Sequence, residues 1–314
     1  MSTIVNETAV LLSIEQLMHK LFMNGYSNES LVIDLVKIFN SFNLCYREEF
    51  YYSPLIRDFI RVFNLIDTLC SEMQTSNLYY VISKNLSDLR SALLCNYQVS
   101  IQEIQEYKKQ EVRNTESLRE YLSDLFNHYA RLLVVRVDLK YSENFRDQIS
   151  LEMFSLHIAI LRNRISNKDG CFKGVEGFAW ALEQGADLGG YHCHLLILYQ
   201  GACHQNGFRL GKMVQAKWEE ITQVEFQSLE NTQKVGKAFI VNDHRYLQRY
   251  KEKNTIGVNM VRRSDPHSVS CAIETALYLT RPEKSNQYLR VKLSKTQKTF
   301  GTGLYRTRYR RRLR

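Results

Sequence analysis

Residues 191–199, with the sequence YHCHLLILY, are the stretch that most constrains the fold of this chain. Aromatic and branched apolar residues dominate it, two glycines precede it and a third follows shortly after it, a pattern typical of a buried strand bounded by turns. Because side chains alternate along a strand, His192 and His194 should project from one face about 7 Å apart. Two imidazoles on one face of a strand predict two ligands of a metal site.

A second strand is predicted immediately before it, at residues 175–183 (VEGFAWALE), with a Gly- and Asp-rich turn at 184–190. The two strands should form a hairpin. If the bulky side chains face the core, Glu183 lies on the opposite face beside small alanines, and a register that brings it next to His192 and His194 supplies an oxygen ligand. The alternative is that both histidines are hydrogen-bonded structural residues, because an H-x-H triplet also arises by chance.

Composition describes a folded protein of 314 residues, with 44% hydrophobic residues and three prolines. We find no apolar run long enough to span a bilayer and no signal-peptide pattern at the N-terminus, so a cytoplasmic protein is expected. The seven cysteines lack paired C-x-x-C spacing and are interpreted as reduced thiols.

Charge is concentrated at the C-terminal end. Residues 284–314 contain eleven Lys and Arg and no Asp or Glu, so they carry a charge of +11. The net charge of the whole chain is +9, so the residues before them carry −2. Such a polycation predicts a phosphate backbone as partner, with a disordered solubilising tail as the main alternative and an anionic membrane surface as a weaker one. The predicted nucleic-acid contacts are Arg136, Lys292, Lys295, Lys298, Arg306, Arg308, Arg310, Arg311 and Arg312.

Helical periodicity and strand patterns predict three parts: an all-helical domain at 1–113, a mixed domain at 114–284 and a basic nucleic-acid-binding tail at 285–314. The predicted class is α+β. In the mixed domain the predicted order is β-α-β-β-α-β-α, with its first strand at 132–139 and its fourth at 256–261. This order suits a split-βαβ (RRM-like, Rep-type) antiparallel sheet of four strands with helices on one face and the other face open. Arg136 and Asp138 would then share the open face with the histidines, Asp138 as a further ligand or as a salt-bridge partner.

The last predicted helix, beginning at residue 271, carries the candidate nucleophile Tyr278. A tyrosine hydroxyl has a pKa near 10 in water, so it needs a cation or metal nearby to favour the phenolate. Arg281, one turn later, or Lys284 could supply that charge and clamp a phosphate. Tyr288 is the nearest rival, although a stacking or phosphate-contacting role suits it better.

The order of these motifs resembles that of the HUH-type replication-initiation endonucleases, and more closely the inovirus gene-two-like family, also labelled YagK/YfjJ, of prophages and mobile elements. LLVVRVDLKY resembles its first motif, WALEQ with YHCHLLILY its glutamate and histidine motifs, and ALYLTR with NQYLRVK and KTFGTG its tyrosine motif and the segment beyond. The similarity covers roughly the C-terminal 200 residues. The family usually has lysine three residues after the tyrosine, whereas Arg281 stands here; arginine can clamp a phosphate but does not readily give up a proton.

The resemblance implies a metal-dependent nicking and rejoining of single-stranded DNA at a replication origin, as in rolling-circle replication. His192, His194 and Glu183 would hold Mg²⁺ or Mn²⁺, and Tyr278 would become linked to the 5′ phosphate. Host replication proteins would be further partners, with no membrane partner.

Two other functions are compatible with the sequence. One is a DNA-binding regulator that keeps the fold without nicking. The other is a structural zinc protein that uses His192, His194, Cys203 and His204, which the spacing of the two pairs disfavours.

Overall fold

The structure is a computed structural model that describes residues 5–185, 190–226, 233–251, 255–280 and 288–305. It combines helices with antiparallel sheets, which confirms the α+β class. Arg281 and Lys284, as well as Arg306, Arg308, Arg310, Arg311 and Arg312, lie outside the described residues.

The N-terminal part is helical, as the apolar periodicity predicts. Its helices are α1 (Glu7–Phe22), α2 (Asn28–Cys45), α3 (Pro54–Glu72), α4 (Leu78–Lys84) and α5 (Leu86–Leu94). Local chemistry fixes their starts: the Asn6 side chain accepts a hydrogen bond from the backbone N–H of Ala9, and Pro54 occupies the first turn of α3. These helices share one continuous hydrophobic core with the sheet.

Helix α6 (Tyr97–His128) runs straight through the domain boundary predicted at residue 113. The stretch 114–117 contains Asn114, Thr115 and Ser117, residue types that commonly cap the start of a helix. Instead, Thr115 hydrogen-bonds within the helix to the Glu111 carbonyl at 2.9 Å and also to the Thr280 hydroxyl at 2.9 Å. These residues do not begin a helix, because the Thr115 side chain finds partners inside α6 and on a neighbouring element.

A six-stranded sheet forms the centre of the described C-terminal part. Its strands are β2 (Arg131–Tyr141), β3 (Val175–Gln184), β4 (Tyr191–Gln200), β5 (Gly236–Ile240), β6 (Asn259–Arg262) and β8 (Phe300–Thr302). They are arranged in the order β5-β2-β4-β3-β8, with β6 also pairing with β2. The hairpin β3–β4 is where the sequence predicted it, and residues 186–189 of the predicted turn lie outside the described residues.

The sheet is larger and more fully covered than the predicted four strands with helices on one face. Strand β5 was not predicted, and it pairs with the second half of β2 while β6 pairs with the first half. Helices α7 (Leu151–Ser166) and α8 (Gly207–Gln223) pack on one face. On the other face lie α6, α9 (His244–Lys251) and α10 (Pro266–Leu277). The second face can be covered because half of it is apolar.

Part of the predicted basic tail is built into the fold. Strand β7 (Val291–Lys292) pairs with β1 (Tyr51–Tyr52) in the N-terminal part, and β8 pairs with β3. Arg290 directly precedes β7, and its buried guanidinium donates to the carboxylate of buried Glu15 on α1 at 2.6 Å. Arg290 therefore serves the fold, since a buried ion pair of this kind leaves no charge available for a phosphate.

All seven cysteines are free thiols. No helix in the described ranges is long and apolar enough to cross a membrane.

Candidate active site

Polar side chains from three adjacent strands meet on the face of the sheet that carries α10. The register pairs Asp138 with His194 and Glu183 with His192, so these residues project from the same face. The predicted hairpin register, which places Glu183 beside the histidines, is confirmed. The small Ala181 opposite His194 leaves space above this end of the sheet.

Glu183, His192 and His194 form a group that fits a metal ion. The carboxylate oxygen Oε2 of Glu183 lies 3.2 Å from Nε2 of His192 and 3.1 Å from Nε2 of His194. The ligand atoms of all three residues lie within 4.8 Å of one another. Because metal–ligand bonds of about 2.0–2.2 Å put neighbouring ligand atoms roughly 3 Å apart, the two short separations match those around a cation. Three protein ligands also leave coordination positions open for a substrate.

Asp138 supports this group from the adjacent strand. Its carboxylate Oδ1 lies 2.7 Å from Nδ1 of His194 and 3.2 Å from Nε of Arg136. Burial raises the pKa of Asp138, but the hydrogen bonds and charges of His194 and Arg136 outweigh it and lower the pKa to about 2. An ionised carboxylate only accepts hydrogen bonds, so His194 Nδ1–H must donate, which leaves Nε2 directed at Glu183.

Of the two alternatives for Asp138, a further metal ligand or a salt-bridge partner, the geometry favours the second. Asp138 accepts a hydrogen bond from the ring nitrogen of His194 that faces away from Glu183, as carboxylates commonly do for metal-binding histidines. The same contacts act on the ring: burial lowers the pKa of His194, but hydrogen bonds to Asp138 and Glu183 outweigh it, and the net shift is upward. Nε2 of His194 lies 3.1 Å from Oε2 of Glu183, at the position where a cation would bind.

Tyr278 lies against this group. Its ring meets the ring of His194 edge-on, with centroids 5.9 Å apart and an interplanar angle of 79°, and its side chain is 39% exposed. The guanidinium of Arg136 lies over the Tyr278 ring at 4.4 Å. Helix α10 ends at Leu277, so Tyr278 begins a short 3-10 turn (Tyr278–Thr280) rather than lying within the predicted longer helix.

Sequence reasoning missed the contact between Arg136 and Tyr278. Arg136 was predicted as a nucleic-acid contact, and Arg281 and Lys284 as the cations beside the tyrosine; neither of the latter is among the described residues. The available signal was the alternation of β2, which places Arg136 on the same face as the histidines. The long-range packing of α10 over that face could not be read from the sequence.

The rival Tyr288 makes contacts within the fold. Its hydroxyl donates to Glu15 at 2.5 Å, and its ring lies near that of Tyr107. Burial and the neighbouring Glu15 raise the pKa of Tyr288, which disfavours the phenolate needed for attack. These contacts give Tyr288 a place in the fold, and the stacking or phosphate-contacting role predicted for it stays a prediction.

The predicted cationic contacts in the described part of the tail differ in accessibility. Lys295 and Lys298 are exposed. Lys292 is half-buried, with its Nζ 5.6 Å from the ring centroid of Tyr107, and burial lowers its pKa. Lys295 and Lys298 can reach a polyanion more readily than Lys292.

The zinc alternative is not supported by the geometry. His192 lies at the start of β4, whereas Cys203 and His204 lie just beyond its end. Nε2 of His204 lies 3.0 Å from the Lys173 carbonyl. In the parts of the chain that the structure describes, the candidate metal group consists of Glu183, His192 and His194.

Comparison with known proteins identifies the family. A search of curated proteins and a search of solved structures found no match. A family model described as the YagK/YfjJ C-terminal domain matches residues 96–256, just over half of the 314 residues. The match begins at the start of α6 and includes Asp138, Glu183, His192 and His194, and it ends before Tyr278. The chain therefore belongs to the YagK/YfjJ C-terminal domain family.

Proposed function

We propose that this protein is a metal-dependent nicking enzyme of the HUH type, close to the inovirus gene-two-like proteins, that cuts and rejoins single-stranded DNA through a tyrosine. The observation that supports it most is the contact between Tyr278 and His194, because it puts a hydroxyl-bearing side chain beside a His/His/carboxylate group. A structural metal site does not require a half-exposed tyrosine at its edge.

Glu183, His192 and His194 would hold the cation, and Asp138 would fix the ring of His194. A bound Mg²⁺ or Mn²⁺ supplies a Lewis acid that polarises the scissile phosphate and stabilises the charge that develops on it. The Glu183 carboxylate and the His194 imidazole are buried, and electrostatic effects are stronger in a buried site than in bulk water.

Tyr278 would attack phosphorus in an in-line displacement. A new bond joins its phenolic oxygen to the 5′ phosphate, and the bond from phosphorus to the 3′ oxygen breaks. The phenol loses its proton to solvent, and the departing 3′ oxygen takes up one proton. Arg136 keeps the Tyr278 ring beside His194, and its positive charge favours the phenolate.

The products suit replication initiation. The phosphotyrosine bond preserves the energy of the cut backbone, so the strand can be resealed by the reverse reaction. The free 3′ hydroxyl is a primer that a host polymerase can extend. These properties favour rolling-circle replication of a phage or mobile element over simple hydrolysis of DNA.

A labelled single-stranded oligonucleotide tests the proposal. With Mg²⁺ or Mn²⁺ the protein should form an adduct that survives denaturing electrophoresis, and with excess chelator it should not. A protein that binds the oligonucleotide but forms no adduct with any divalent metal would instead be a DNA-binding regulator that retains the fold.

A further inference from the structure

Strand β5 carries an exposed aromatic side chain on the same face as the candidate active site. Phe239 is 41% exposed and is the register partner of Asp138, which is in turn the partner of His194. The three residues form one row across β5, β2 and β4. With neighbouring strands about 4.8 Å apart, the Phe239 backbone lies roughly 10 Å from that of His194.

Phe239 does not stand alone at this edge of the sheet. The ring of Tyr246, on α9, meets it edge-on with centroids 5.0 Å apart and an interplanar angle of 84°. We call Phe239 and Tyr246 the aromatic pair. An edge-to-face arrangement leaves the face of one ring available for another flat group to stack on.

Two clefts meet at Tyr246. One, of about 640 Å³, lies between β5 and α8 and is lined by Phe239 and Lys212. The other, of about 630 Å³, reaches from Tyr246 to Arg136, Asp138 and Tyr278. The aromatic pair therefore stands next to the path by which a strand would leave the nucleophile.

Cations line the cleft between β5 and α8. Lys212 and Arg245 are exposed there, and the Lys212 Nζ donates to the neutral side chain of Gln215 at 3.2 Å. Arg245 donates to the Asp243 carboxylate at 2.9 Å. Exposed aromatic rings beside cations are the combination by which proteins bind single-stranded nucleic acid, since the rings stack on bases and the cations contact phosphates.

We infer that the aromatic pair is a base-stacking subsite, in which Phe239 holds a base of the single-stranded DNA that flanks the phosphate beside Tyr278. This inference rests on the proposed function for the identity of the ligand. It assigns to Phe239 substrate binding and no part in the bond-breaking step.

The test measures binding without chemistry. Fluorescein-labelled oligothymidine of about 20 nucleotides is titrated with protein in excess chelator, and affinity is read from fluorescence anisotropy; stacking tolerates this sequence because every base has a flat face. Phe239→Ala should weaken binding about tenfold, whereas Phe239→Trp should keep it near wild type. The salt dependence of binding should not change, because no charge is removed.

Tyr79→Ala is the matched control, since Tyr79 is 51% exposed on α4, in the helical N-terminal part, and should bind as wild type does. Wild-type affinity in Phe239→Ala, or a wild-type protein that does not bind oligothymidine, overturns the inference. The two proposals fail separately: a stacking defect with no adduct under any metal condition sinks nicking alone, while adduct formation with wild-type binding by Phe239→Ala sinks the subsite alone.

Discussion

The two halves of one sheet face have opposite characters, although the same strands build both. Toward one end the face is apolar, with Leu132, Val134, Ala179, Leu196 and Leu198 in a shared core. Toward the other end the same alternation presents Arg136, Asp138, Glu183, His192 and His194. Burying charged groups costs free energy, so strands selected for stability alone would have continued the apolar pattern. The apolar half serves packing, and the polar half is where we propose that the chemistry takes place.

Helix α10 connects the two halves. Ala276 and Leu277 belong to the apolar core, and the next residue, Tyr278, meets the ring of His194. Packing on the apolar half therefore positions the tyrosine over the polar half. This division of labour predicts that substitutions in the two halves will have separable effects on stability and on activity.

The largest expected effect is on activity, from a change in the polar half. His194→Ala removes a proposed metal ligand and should abolish metal-dependent adduct formation with single-stranded DNA, while circular dichroism shows a folded protein. His204→Ala, which changes a histidine beyond the other end of β4, should remain active. Undiminished adduct formation by His194→Ala, or by wild type in excess chelator, would break the assignment of the polar half to metal chemistry.

The next effect is on stability, from a change in the apolar half. Leu198 is fully buried, and Leu198→Ala should lower the free energy of unfolding by about 2–5 kcal/mol in urea titrations, because it removes packed methyl groups and leaves a cavity. Leu156→Ala, at a leucine 51% exposed on α7, should change it by less than about 0.5 kcal/mol. Equal losses of the free energy of unfolding in both variants would contradict an apolar core between the sheet and helices α6 and α10.

A smaller effect should come from Asp138, which supports the metal group without belonging to it. Asp138→Asn keeps an oxygen near His194 but loses the charge that pairs with Arg136, so Mn²⁺ affinity should fall about 10- to 100-fold by calorimetric titration. Asp169→Asn, which breaks a surface pair with Arg164, is the control and should bind Mn²⁺ normally. Unchanged affinity in Asp138→Asn would mean that His194 needs no such support.

The smallest effect on the sheet face itself should come from truncation of the chain beyond the described residues. Truncation after Tyr305 removes six arginines and leaves both halves of the sheet face intact. Binding to single-stranded DNA should weaken for all sequences alike, and the logarithmic salt slope should become shallower by about 0.7 for each phosphate that is no longer neutralised. Adduct formation on saturating DNA should survive. An unchanged salt slope would show that these arginines do not bind phosphates.

Local signals in the sequence were sufficient for much of the fold and for the metal group. The hairpin, its register and the face shared by Glu183, His192 and His194 follow from alternation and from the glycines at the turn, because the side-chain period of a strand is two. The N-terminal helices follow from their apolar periodicity.

The remainder depends on interactions between distant parts of the chain. Strand β5 (GKAFI) is short and carries glycine and lysine, so it has little strand signal of its own. In the sequence Arg290 belongs to a polycationic segment, but in the fold it pairs with Glu15, which is 275 residues away. Likewise, Arg136 meets Tyr278 because α10 crosses the sheet. Tertiary packing decides each of these cases.

The most direct test of the proposed chemistry is to map the covalent adduct on the protein. After trapping with labelled single-stranded DNA and Mn²⁺, proteolysis and mass spectrometry should place the nucleotide on Tyr278. Tyr278→Phe, which removes one oxygen atom, should bind DNA and yield no adduct. A nucleotide on the partly buried Tyr288, or an adduct that persists in Tyr278→Phe, would contradict the account.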